Sequence, residues 1–228
     1  RLAIAKLASP RQLPEPGGTA TFTVVAANIS RTSVSLNSLV DDIYGDLDGQ
    51  GSCSLPQTLS PASPFYICRF DGAVTGAPGD IKVDVITGQG EDIFGNPLQA
   101  SARASVLIYD LSSDIRVVKS ASRNSVTDDD RSVSYSVTVT NISEVDEVVI
   151  GSLVDNIHGN LQGQGDCQLP QTLVAAGGQY SCQFPATVVA PVDSVETDTI
   201  LALGIDDDGN IAADSDSASV VVLSAPVV

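Results

Sequence analysis

Tryptophan and methionine are absent from the 228 residues, histidine occurs once, and five phenylalanines with five tyrosines are the whole aromatic complement. A buried core must therefore rest on Val, Ile, Leu and Ala, which a hydrophobic content of 43% allows. Bases are scarce as well: 11 Lys and Arg stand against 28 Asp and Glu, for a formal net charge of −17. Nucleic acid is thereby excluded as a partner, since its phosphates require a basic surface. Long apolar runs are also missing. Stretches such as Ala218 to Leu223 fall far short of the roughly 20 residues a bilayer-spanning helix needs, so no membrane insertion is expected in this segment. No charged-then-apolar leader precedes Leu2, so a secretion signal or anchor is expected outside the segment, which reads as a piece of a longer protein.

What is abundant is aspartate, with 23 Asp against 5 Glu. Asp is a poor helix former and a good turn and calcium residue, so the skew points to acidic loops rather than acidic helices. The chain also repeats itself. Val40 to Cys53 (VDDIYGDLDGQGSC) matches Val154 to Cys167 (VDNIHGNLQGQGDC) at an offset of 114 residues, and LPQTL recurs at Leu55 and Leu169. Upstream, Asn28-Ile29-Ser30 matches Asn141-Ile142-Ser143 and Lys6 matches Lys119 at an offset of 113. A period of this length is too long for a solenoid unit and suits a complete β-sandwich. Two domains follow, 1–110 and 111–228. The stretch from Tyr109 to Ser113 contains neither Gly nor Pro, which makes it a poor flexible tether.

Alternation of apolar and polar residues predicts seven strands in each copy, near 2–7, 19–27, 34–39, 56–59, 65–70, 81–88 and 99–108, and at the matching places of the second copy. No window carries a sustained helical period. The fold class is all-β, two tandem immunoglobulin-like sandwiches. Cys53 and Cys68, like Cys167 and Cys182, are separated by fourteen residues. Equal spacing in both copies predicts one disulfide inside each domain, closing a short loop onto the strand around Tyr66 or Tyr180. Zinc is disfavoured because there is no Cys-x-x-Cys pair and only one His. Disulfides imply an extracellular or cell-surface setting.

The strings SYSVTVTNIS, SLVDNIHGNLQGQGDCQLPQTL, YSCQF and ETDTILALGIDDDGNIAADSDSASVVV, which cover most of the second copy, resemble tandem immunoglobulin-like repeat modules of bacterial surface-layer, adhesin-like and other large secreted proteins. The first copy looks like a diverged member. The resemblance implies a non-catalytic spacer or stalk segment, with adjacent repeats of the same parent chain as partners. The alternative is an adhesin-type or carbohydrate-binding module that takes a carbohydrate or protein ligand on exposed loops, although no convincing row of surface aromatics supports it. Lys6 and Lys119 resemble, in position, the lysines of surface modules that join Lys to Asn with loss of ammonia. That chemistry needs a buried neutral amine beside an acid, and an exposed strand-end lysine is the expectation here.

No catalytic constellation is expected. His158 stands where the other copy has Tyr44, which suggests a packing or loop-surface role and a change of less than about 1 kcal/mol on exchange for tyrosine. Residues 1–109 carry net −3 and residues 110–228 carry net −14, so the acidity lies in the second copy. Sandwich topology would gather Asp114, Glu144, Asp146, Asp206 and Asp208 at the second domain's entry end, while the first domain offers Asp41 and Asp42 in its Gly-rich loop. Asp214 and Asp216 share the inward parity of Ala218 and Val220, which is costly unless they are paired. Calcium held by these nine carboxylates at the inter-domain junction is the expected cofactor.

Overall fold

The structure, a computed structural model, describes residues 1–225. All the regular elements among them are strands, and none of the described residues forms a helix long and apolar enough to cross a membrane. The chain divides into two compact units, Arg1–Leu111 and the residues from Ser112 onward. The first contains β1 (Leu2–Ser9), β2 (Gln12–Pro14), β3 (Gly17–Asn28), β4 (Val34–Asp41), β5 (Gly45–Asp46), β6 (Gln57–Leu59), β7 (Phe65–Thr75), β8 (Ile81–Asp92) and β9 (Pro97–Tyr109). The second contains β10 (Ile115–Ala121), β11 (Ser125–Thr127), β12 (Ser132–Asn141), β13 (Val148–Asp155), β14 (Gly159–Asn160), β15 (Gln171–Leu173), β16 (Gln179–Thr187), β17 (Ser194–Asp206) and β18 (Ile211–Leu223).

In the first domain one sheet has the order β1-β3-β7 and the other β2-β9-β8-β4-β5, with β6 also paired to β4. The second domain repeats this as β10-β12-β16 and β11-β18-β17-β13-β14, with β15 on β13. Each is a β-sandwich of two sheets. All seven expected strands per domain are present, and two short ones were not foreseen. After β1 the chain changes sheets, and β2 runs parallel to the last strand, Gln12 opposite Leu107; β11 does the same against β18. The buried faces follow the period of two: Ala20, Phe22, Val24 and Ala26 on β3 point inward between half-buried neighbours.

One local feature breaks that period. On β4 the pairing with β8 shifts between Leu36 and Ser38, and on β13 the pairing with β17 shifts between Ile150 and Ser152. A bulge inserts one residue and re-aims everything after it. Val34 and Leu36 face the core before the shift; Leu39 and Asp41 face it afterwards, as Leu153 and Asp155 do in the second domain. An unbroken alternation would have turned Val40 and Asp42 inward instead.

Both disulfides are present, Cys53–Cys68 and Cys167–Cys182, each with its Cα atoms 4.9 Å apart. Each fastens the Gly-rich loop over the outer edge of β7 or β16. The N–H of Ser52 donates to the carbonyl of Arg69, and that of Asp166 to Gln183. The approach is so close that a Cβ on Gly51 would lie 2.2 Å from the Arg69 carbonyl oxygen, and Gly51 also has a φ of +54°. Tyr66 and Tyr180 complete the clamp, accepting the N–H of Ser54 and Gln168 at 2.7 Å. Replacing both Cys53 and Cys68 with Ala should lower the stability of the first domain by about 2–4 kcal/mol. Urea unfolding of the oxidised chain, with the second domain as internal reference, checks this.

Candidate functional site

Lys6 lies on β1 with the inward parity of Leu2, Ile4 and Ala8, and Lys119 lies on β10 with that of Ile115 and Val117. Both lysine side chains have no solvent exposure, contrary to the expectation of a surface lysine. Nζ of Lys6 sits 2.5 Å from Oδ2 of Asp41 at the end of β4 and 2.6 Å from Oδ2 of Asp84 on β8. Each lysine thus reaches from one sheet to two adjacent strands of the other. Lys119 repeats the arrangement, touching Asp155 Oδ2 and lying 2.6 Å from Asp198 Oδ1. The neighbours are acids, not the asparagine of a Lys–Asn crosslink.

Aromatic faces wall the ammonium in. Lys6 Nζ is 4.4 Å from the Phe22 ring centroid, with Tyr44 and Phe70 behind it; Lys119 Nζ is 4.4 Å from that of Tyr135, with Phe184 behind. Phe22 and Phe70 are directly opposed on paired strands, as are Tyr135 and Phe184. With two carboxylates for one ammonium, the second acid of each trio is raised in pKa. Burial pushes Asp84 above the ordinary carboxylate range, against the pull of Lys6. Asp198 is pushed up to about 6, by burial first and then by its hydrogen bond with Asp155. Asp155 moves the other way: hydrogen bonds from Asp198, Lys119 and the N–H groups of His158 and Ile157 outweigh its burial.

His158 is part of this wall rather than a surface residue. Its ring centroid lies 5.9 Å from Tyr135 and 5.5 Å from Phe184, and its Nε2 is 3.4 Å from Asp198 Oδ2. Asp155, His158 and Asp198 are close enough to hold a metal ion, but the ammonium of Lys119 already contacts both of these carboxylates.

The calcium candidates divide. Asp146, which is buried, comes together with exposed Asp208 and with Asp207, their carboxylate oxygens lying within 4.8 Å of one another. Burial, followed by the charges of Asp207, Asp206 and Asp208, pushes Asp146 up. Asp206 forms the β17–β18 turn, its Oδ1 accepting the N–H groups of Asp208 and Asn210. Asp214 and Asp216 do point inward, but their Oδ2 atoms accept the N–H groups of Val117 and Lys119 at 2.7 Å, so the free edge of β10 pairs them without a cation. Asp114 accepts the N–H of Ile115, and Glu144 is exposed outside the cluster. Asp41 is bound to Lys6, and Asp42 accepts the N–H of Val85.

No family model matches the chain, and no curated protein matches it. Among solved structures it is similar to a tetra-tandem repeat from the extending region of a large adhesion protein, at 17% identity and a TM-score of 0.29, over 96% of this chain and 49% of that one. It is similar to a Ca2+-stabilised adhesin of an Antarctic bacterium at 14% identity and a TM-score of 0.30, over all of this chain and 50% of that one. A red sea bream transglutaminase stands at the same level, with 11% identity and a TM-score of 0.33 over 96% and 31%. The chain spans about half the length of the adhesin structures it matches or less than a third of the enzyme.

Among the differences between the two walls is a compensating pair. A Cβ on Gly72 would lie 2.5 Å from the Tyr44 ring, whose hydroxyl donates to the Ala73 carbonyl. The matching residue in the second domain is Ala186, and there the ring is the smaller His158. His158→Tyr is therefore not a neutral surface change. Alone it should cost about 1–3 kcal/mol by overpacking, and His158→Tyr with Ala186→Gly should recover most of the loss. A double-mutant cycle by urea unfolding reads the coupling.

Proposed function

We propose that the chain is a non-catalytic structural segment, a spacer or stalk of a bacterial cell-surface or secreted protein, working through adjacent repeats of its parent chain. The observation that carries this reading is that each domain seals a lysine and two aspartates inside it, with lysine side chains of zero exposure, and that the trio appears twice at matching positions. A substrate cannot reach such a group, whereas a rigid interior brace suits a load-bearing repeat. The disulfides add a second brace and support an oxidising, extracytoplasmic location. Antibody raised against the purified chain should label intact, unpermeabilised cells of the source organism or the culture supernatant. A cytosolic signal alone would overturn the location and the stalk reading with it.

Calcium belongs to the same proposal, at the acidic end of the second domain. Asp146, Asp207 and Asp208 supply the hard oxygen ligands such an ion takes, with water completing the shell. At 100 times its Kd the ion would add ~2.7 kcal/mol to that domain. Chelation should lower the melting temperature of the second domain and spare the first, and Asp207→Asn with Asp208→Asn should abolish the difference. Equal melting with and without calcium would reduce these acids to turn chemistry and solvation.

A further inference from the structure

We infer that each domain closes an amide bond across its core, Lys6 Nζ to Asp41 Cγ in the first and Lys119 Nζ to Asp155 Cγ in the second, with Asp84 and Asp198 moving the proton. The reacting groups are already in contact, 2.5 Å between Lys6 Nζ and Asp41 Oδ2, in a site without solvent exposure. Holding an amine and a carboxyl together in this way removes the translational and rotational cost of bringing them together.

A separate observation assigns the roles of the two acids. Oδ1 of Asp41 accepts the backbone N–H groups of Ile43 and Tyr44 at 3.0 and 3.1 Å, and Oδ1 of Asp155 those of Ile157 and His158, both at 2.9 Å. Two N–H donors on one carboxyl oxygen form a cradle for the oxyanion that develops when Nζ attacks Cγ. The other oxygen, Oδ2, faces the lysine and is free to leave. Asp84 Oδ2 and Asp198 Oδ1 each lie 2.6 Å from the same lysine Nζ, within reach to exchange a proton with it. Burial raises both acids, which favours their taking up a proton during the step.

The step balances without a co-reactant. The ammonium passes one proton to the Asp41 carboxylate and becomes an amine. Its lone pair attacks Cγ, and the C–N bond forms. The nitrogen then loses a second proton to Asp84, which hands it to Oδ2, and the Cγ–Oδ2 bond breaks with release of water. Asp84 ends as it began. One ammonium and one carboxylate have become one neutral amide and one water, which removes two charges from a low-dielectric interior where each is expensive. The bond would join the first strand of one sheet to β4 of the other.

Intact mass of the purified, reduced and denatured chain tests this directly. The expected mass is short of the sequence mass by one water per domain, two in all. Trypsin should fail to cut after Lys6 and Lys119, yielding branched peptides that carry Asp41 and Asp155. Asp84→Ala in the otherwise native chain should restore one water and leave the second domain's deficit as an internal control. Full sequence mass together with cleavage after both lysines would overturn the proposal and leave two buried ion pairs. A deficit mapping to other residues would overturn it as well.

Discussion

A lysine ammonium inside an apolar sandwich is the constraint on which the rest of each domain depends. An uncompensated buried charge costs several kcal/mol even after relaxation, so the lysine cannot occupy its core position on β1 or β10 without partners. The partners come from the opposite sheet. Asp84 reaches inward from β8 by ordinary alternation, next to Ile86. Asp41 does so only because the bulge after Leu36 reverses the parity of β4. The same reversal at Gly151 delivers Asp155. A backbone irregularity and a side-chain charge that look unrelated are thus two halves of one requirement.

The two domains vary the surroundings of this trio while keeping the trio itself. Tyr44 over Gly72 becomes His158 over Ala186, a large ring on a bare backbone exchanged for a small ring on a methyl. Ala20 becomes Val133 on the strand opposite, and Phe22 becomes Tyr135. Volume is traded among neighbours, as close packing requires. Lysine and the two aspartates are not traded, because no other residue types would balance charge in the same space.

Much of the fold was legible from spacing alone. Equal cysteine intervals in two copies gave both disulfides, and the apolar–polar pattern gave the six long strands of each domain together with three-residue β6 and β15. The short strands β2, β5, β11 and β14 carry two or three residues each, too few for a period to register. The lysine site was missed for a different reason. Leu2-Ile4-Lys6-Ala8 does place Lys6 on the apolar face, and that parity is in the sequence, but a lysine at a strand end usually faces water and its counter-ions are 35 and 78 residues away. The bulge hid the nearer one, since unbroken counting along β4 turns Asp42 inward and Asp41 outward. Asp214 and Asp216 were recognised as inward-facing and costly. Their partners, unpaired N–H groups on the edge of β10, are backbone atoms that no residue identity announces.

The placement of the rare aromatic residues follows from the same requirement. Phe22, Tyr44, Phe70, Tyr135 and Phe184 surround the two lysines, and Tyr66 and Tyr180 receive the loops that the disulfides fasten. Seven of the ten aromatics are therefore committed to the two braces, while the remainder of the core is built from smaller aliphatic side chains. An aromatic face offers an ammonium what an aliphatic chain cannot, a partial negative charge that needs no solvation. Rings are needed where the interior is polar and are dispensable where it is not. A chain with few of them concentrates them at the lysine, and that is where the two sheets are joined through the lysine–aspartate contact as well as by apolar packing.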